Sequence, residues 1–202
     1  EKQWPFTLRQ LTSHTAGVRH YVSPLENYRD EHYDTVHEAL VTIADDRLIF
    51  EPGTAYRYSS YGFNMLSAAM AGASGEPFRD LLQRLVFDPA DMGGTFAEDP
   101  RQPNPLSSGF YLQTETRSFR APYADNSYKV AGGGLLGRPW DLVRLGNALL
   151  TGTLLEPDRL PPDIHIFTSS KQPWVVLPSG VPAVPEYYSA REHWSEDSLR
   201  RR

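Results

Sequence analysis

The sequence predicts an α/β chain of the α+β kind, mainly helical with few strands, and three observations carry that prediction. Several stretches place apolar residues at helical spacing behind recognisable start signals, four of them before residue 90. Only two short runs read as strands. Finally, 202 residues with 40% hydrophobic content suffice for one good core with a small annex.

The first element is short. Thr7-Leu8-Arg9-Gln10 fits a capping box, and the helix should stop at His14-Thr15-Ala16-Gly17, where Gly17 accepts a left-handed backbone. A second box, Thr35 to Glu38, opens a helix with Val36, Ala39, Leu40 and Ile43 on one face, ending near Asp46. After the Pro52-Gly53 turn, Ser59 or Ser60 caps a helix over about 60–73 with Phe63, Leu66, Met70 and Ala73 as its apolar stripe and Gly75 as its stop. Pro77 then starts a helix that buries Phe78, Leu81, Leu82 and Leu85. From Pro89 to Pro122 the best strand is Phe110-Tyr111-Leu112. Pro139 opens the last helix, with Asp141 at its positive end and Leu142, Leu145 and Leu149 spaced for packing. Beyond Leu155 prolines become frequent and periodicity disappears; Trp174-Val175-Val176-Leu177 is the one short strand candidate there. We therefore expect residues 1–155 to form a partial domain, a helical lobe with a cleft wall, and 156–202 to be an irregular Pro-rich tail, a mispredicted or frame-shifted end being one explanation of the change.

Composition narrows the function. A net charge of −5 without a dense Lys/Arg stripe argues against nucleic acid and anionic membranes as partners. With no cysteine there is no disulfide framework, thiolate metal site or thiol nucleophile. No apolar run approaches the roughly 18–20 residues of a spanning helix. No initiator Met precedes Glu1, so the chain is expected to lie within a longer protein.

Tyr58-Ser59-Ser60-Tyr61-Gly62 holds the residues best placed for chemistry, because it presents hydroxyl groups where a turn becomes a helix N-terminus. Backbone N–H groups and the positive dipole end favour a developing anion there and lower the pKa of a phenol held nearby. Tyr58 can then serve as a general base and Ser60 as a hydrogen-bond donor to substrate, against the plainer alternative of a capping serine beside a core tyrosine. His14 reads as a hydrogen-bonded structural histidine. His32 and His37 are five residues apart and do not share a helical face, so a solvated helix start is a better reading than a metal site. Ala131-Gly132-Gly133-Gly134 lacks a following Gly-Lys-Ser/Thr and reads as close backbone packing instead of a phosphate cradle.

Leu11-Thr12-Ser13-His14-Thr15-Ala16-Gly17, then Pro52-Gly53-Thr54 with Tyr58-Ser59-Ser60-Tyr61-Gly62, then Ala131-Gly132-Gly133-Gly134-Leu135-Leu136 with Asp141-Leu142 occur in that order. Together they resemble the serine β-lactamase family in its broad sense, which includes class C β-lactamases, penicillin-binding carboxypeptidases, family VIII esterases and mitochondrial serine β-lactamase-like proteins. Gly17-Val18-Arg19-His20-Tyr21 and the run from Pro122 to Gly134 look most like the mitochondrial type and its bacterial relatives. The resemblance covers about residues 6–152 and implies a β-lactamase/transpeptidase-like fold. It also implies acyl transfer on a peptide, ester or β-lactam-like substrate through an acyl-enzyme, without metal or organic cofactor, and assembly as a homo-oligomer.

In that family a Ser-x-x-Lys helix carries the nucleophile, a Tyr-x-Asn motif moves protons, and a Lys- or His-Thr/Gly-Gly strand borders the oxyanion hole. Only the second has a counterpart here: Tyr58 matches its tyrosine, while Ser60 stands at the asparagine position and removes an amide that both donates and accepts. A peptide or ester substrate is therefore easier to defend than a β-lactam. Asn126, Ser127 and Tyr128 are expected to line the cleft, Asn126 and Tyr128 as substrate contacts. No Ser-x-x-Lys occurs in the chain; Thr168-Ser169-Ser170-Lys171 is nearest and reads as a solvated loop. Two functions stay open: part of an active serine hydrolase whose nucleophile lies outside these residues, or a non-catalytic ligand-binding or assembly module that keeps the hydrolase lobe.

Overall fold

The computed structural model describes residues 2–99, 101, 111–120, 124–155 and 164–200. Helices dominate and the strands are short, as the sequence predicts. Helix α1 (Leu8–Thr12) starts with the full reciprocal box between Thr7 and Gln10. Its chain reversal uses a left-handed residue at His14 (φ 58°), and Gly17 (φ 76°) serves a second bend. A Cβ on Gly17 would sit 2.4 Å from the Phe50 carbonyl oxygen, so only glycine lets these two segments touch. Backbone bonds from Ile49 to Gly17, Gly53 to Thr15 and Arg57 to His14 then tie residues 14–17 to 49–57.

A short helix α2 (Pro24–Asn27) follows. The box at Thr35 and Glu38 forms, but the element it opens is a 3-10 helix over Glu38–Thr42 and not an α-helix reaching Asp46. Beyond its end the Lys2 ammonium donates to the carbonyls of Ile43, Ala44 and Asp46, which holds this stretch against the N-terminus of the chain.

The central helix α3 (Ser60–Ser74) has Ser59 as its cap, accepting from Gly62, and Gly75 as its left-handed stop (φ 72°). Of the predicted stripe, Phe63 and Leu66 are half-buried, Leu66 against the main core, but the most deeply buried face lies elsewhere. Met70 and Ala73 are exposed, whereas Ser60, Tyr61, Asn64, Ser67, Ala68 and Ala71 are buried. Small side chains lie inward because the α5 (Val130–Gly133) backbone packs directly on them: a Cβ on Gly132 would stand 2.8 Å from Asn64 Oδ1 and 3.0 Å from the Ser60 carbonyl oxygen. The Ala131–Gly134 run is thus close backbone packing, as read from its glycines.

Helix α4 (Phe78–Leu82) buries Phe78 and Leu81 and widens into a π-turn over Gln83–Phe87, which leaves Leu85 exposed and turns Phe87 inward. Strand β1 (Phe96–Ala97) pairs antiparallel with β4 (Leu135–Leu136), and β2 (Tyr111–Gln113) with β3 (Ser118–Arg120). Of the predicted Phe110 strand, Phe110 lies outside the described residues. Helix α6 (Pro139–Leu150) buries Asp141 and Ala148 and packs Leu145 against Phe87, Ala90 and Met92. Leu142 and Leu149 stay exposed because the contacting face is rotated by about one residue from the predicted one.

In the tail, short helices α7 (Ala190–His193) and α8 (Glu196–Arg200) and a 3-10 turn over Thr168–Ser170 occur. Trp174–Leu177 forms no strand: a turn bond from Val175 to Gln172 bends it, and Trp174 and Val176 are exposed. The main core gathers Leu11, Ala16, Val18, Tyr33, Ala39, Ile43, Leu48, Tyr61 and Tyr128 beneath the start of α3. Among the described residues no helix is long and apolar enough to cross a membrane.

Candidate active site

The N-terminus of α3 is held from three directions. Ser59 caps the helix through its Oγ and donates the same hydroxyl to the Arg19 carbonyl at 2.6 Å. The Ser59 N–H donates to His14 Nδ1 at 3.2 Å and the Ser60 N–H to His20 Nδ1 at 3.3 Å. Two N–H groups that a helix start leaves open are thereby met by imidazole nitrogens. Burial lowers the pKa of His14, with neighbouring His20 acting in the same direction; burial also lowers that of His20, against the opposing pull of Glu26. Both directions favour the neutral ring, which these hydrogen bonds need as acceptor. His14 is a hydrogen-bonded positioning residue in this arrangement.

The two imidazoles also hold Tyr58. Its ring lies 4.7 Å from that of His14 and 5.1 Å, edge-on, from that of His20, centroid to centroid. Tyr58 is 51% exposed, and its hydroxyl stands 3.5 Å from the buried Ser60 Oγ. The phenol therefore rests between fixed walls with its oxygen at the mouth of a cleft.

That cleft encloses about 590 Å³ and is lined by the 20–24 loop, Asn27, Tyr58, Ser60, Lys129, Gly132 and Gly133. Tyr58 and Ser60 come together as the sequence predicts. Asn126 and Tyr128 lie elsewhere. The Asn126 amide donates to Glu98, and Tyr128 is buried in the core with its hydroxyl donating to the Glu26 carbonyl at 3.0 Å. Ser127 is also internal, its Oγ accepting from the Tyr33 N–H at 2.9 Å. The chain between Asp125 and Gly134 supports the cleft floor: Asp125 meets His32 Nδ1 at 2.7 Å and accepts from the Ser127 N–H. Burial pushes the Asp125 carboxyl up, but the bonds from Ser127 and His32 outweigh it and hold the group below the usual carboxylate range.

His20, Tyr21, Asn27 and Lys129 were not singled out as site residues by sequence reasoning. His20, Tyr21 and Lys129 fall inside segments that carry the family resemblance, which was their only signal; Asn27, at the end of α2, gave none. The Tyr21 hydroxyl is buried without a hydrogen bond of good geometry, although Tyr128 and Ser60 lie close enough to act on its proton affinity, which burial raises. Thr168, Ser169, Ser170 and Lys171 all spend their polar groups on tail backbone, for example Thr168 on Val184 and Lys171 on Val175.

The β-lactamase family model matches residues 1–183. The mitochondrial serine beta-lactamase-like protein LACTB of Mus musculus is 37% identical over 128 residues, 63% of this chain and 23% of the relative. The chain thus spans about a quarter of the length of the curated relatives of this type that it matches. Among solved structures, a penicillin-binding protein from Bacillus halodurans superposes with a TM-score of 0.64 at 23% identity, covering 79% of this chain and 52% of the other. A D-amino acid amidase from Ochrobactrum anthropi gives 0.64 at 21% identity, covering 77% and 47%. The fold is of the β-lactamase/transpeptidase type.

Proposed function

Since the chain belongs to the β-lactamase family, we propose that residues 1–155 supply the helical lobe and one cleft wall of a serine hydrolase that works by acyl transfer. Its substrate is a peptide or ester, and Tyr58 moves the proton. The observation that carries this reading is the Tyr58 phenol, set between His14 and His20 at the α3 N-terminus and 3.5 Å from Ser60. A phenolate at that position can accept a proton from an attacking serine and, as the phenol so formed, return it to the leaving group, and Ser60 can hold the substrate by donating a hydrogen bond.

Hydrolysis of a nitrophenyl ester tests it. In a longer chain that joins these residues to a Ser-x-x-Lys helix, Tyr58→Phe should lower kcat by about 10²–10⁴ with KM little changed. The 202 residues by themselves should give no hydrolysis and no covalent labelling by a fluorophosphonate. Full activity of the Tyr58→Phe protein, or a robust Tyr58-dependent rate from the 202 residues alone, sinks the proposal.

A second reading draws on Ser60, which stands where the family motif has asparagine: a module that binds ligand without turning it over. Saturable binding of a peptide by the longer chain, with neither hydrolysis nor labelling, would favour it.

A further inference from the structure

Resting on the reading of this cleft as the substrate cleft, we propose that Lys129 and Asn27 form a subsite for a single carboxylate of the ligand. Lys129 is 9% exposed, yet it forms part of the cleft wall. Its ammonium donates to Asn27 Oδ1 at 2.8 Å and more weakly to the Asn27 carbonyl at 3.4 Å, and it lies 5.4 Å from the centre of the Tyr128 ring. All three partners are neutral. Among the described residues no carboxylate stands within ion-pair distance of it, although Asp125 and Glu98 are close in sequence or in space. Asp125 is taken by His32, and the Glu98 carboxylate by Asn126.

A buried ammonium with only neutral partners is costly, and a counter-charge arriving with a ligand removes that cost. Burial pushes the Lys129 pKa below the ordinary lysine value, with Glu98 opposing only in part, as an uncompensated buried cation should behave. None of the residues lining the cleft is acidic, so nothing in the wall repels an anion. Asn27 spends its Oδ1 on Lys129, while its Nδ2 donates to no described residue and can reach the same ligand oxygen pair. One cation with one amide matches the charge of a carboxylate, and a phosphate dianion would bring a second charge that the wall does not meet.

The experiment is an NMR titration of the 202-residue chain with N-acetyl-alanyl-alanine and with its C-terminal carboxamide. The carboxylate should bind roughly tenfold tighter, the scale of one charge-assisted hydrogen bond. Lys129→Met should bring the two affinities together, mainly by weakening the acid. The Asn27 side-chain amide signals should shift with the acid and not with the amide, a readout in the unmutated chain that does not depend on the variant folding. If the carboxamide binds as tightly as the acid, or inorganic phosphate competes better than acetate, the subsite is refuted and the cleft reading stands. Should neither peptide bind, the subsite is refuted, and the cleft reading is decided by the Tyr58→Phe kinetics in the longer chain.

Discussion

Replacing Ser59 by alanine should destabilise the chain by about 2 kcal/mol, because one hydroxyl serves two partners that nothing else among the described residues satisfies. As a cap it accepts from the Gly62 N–H at 3.0 Å, a contact worth about 1 kcal/mol. As a donor it meets the Arg19 carbonyl at 2.6 Å, and leaving a half-buried carbonyl without a partner costs roughly another 1 kcal/mol. For a chain of this size, 1 kcal/mol moves the melting temperature by about 2–4 °C, so a fall of about 4–8 °C is expected. Urea and thermal unfolding followed by circular dichroism give both figures. Ser59→Gly is a useful companion, since glycine is a far better cap residue than alanine and should recover part of the first contribution while losing all of the second. A loss in Ser59→Ala below about 0.5 kcal/mol would refute the claim that these two bonds anchor α3 and, with it, the segment that carries Tyr58.

Two other perturbations follow from the same geometry. Gly132→Ala should cost about 1–2 kcal/mol, because the Ser60 carbonyl 3.0 Å from the new methyl is helix backbone and cannot move aside, outweighing the smaller gain from a stiffer unfolded chain; a melting temperature equal to or above that of the parent would show that α5 sits less tightly than described. For His14 and His20, the folded pKa is lowered, so their contribution to stability is complete above the ordinary histidine value of about 6.5 and is lost as pH falls through the lowered values. NMR titration of the imidazole protons should place both midpoints below 6.5, and a midpoint at or above that value for either ring would contradict its role as acceptor from the α3 amides.

The features legible in the sequence are those made by neighbours three or four residues apart. The boxes at Thr7–Gln10 and Thr35–Glu38, the Ser59 cap, the Gly75 stop and the Pro139 start all form, since each is a local bond between a side chain and a nearby amide or a local backbone preference. Tyr58 and Ser60 were legible for the same reason: their place at a helix N-terminus follows from local sequence. The order of the Ser13-His14-Thr15, Tyr58-Ser59-Ser60 and Gly132-Gly133-Gly134 motifs was enough to indicate the family.

What tertiary structure decided are the contacts between residues far apart in the chain. Which face of α3 turns inward depends on a glycine backbone some seventy residues later, so a stripe of small residues displaced the apolar one that periodicity favours. The carbonyls of Ile43, Ala44 and Asp46, just beyond the short 3-10 helix, find a donor in a lysine at position 2. The cleft depends on three such encounters: His14 and His20 reaching the amides of Ser59 and Ser60, and Lys129 reaching Asn27 from 102 residues away. None of these side chains differs locally from an ordinary surface histidine or lysine. The sequence therefore identified the hydroxyl groups of Tyr58 and Ser60, and only folding supplied the rings that flank Tyr58 and the buried lysine that lines the same cleft.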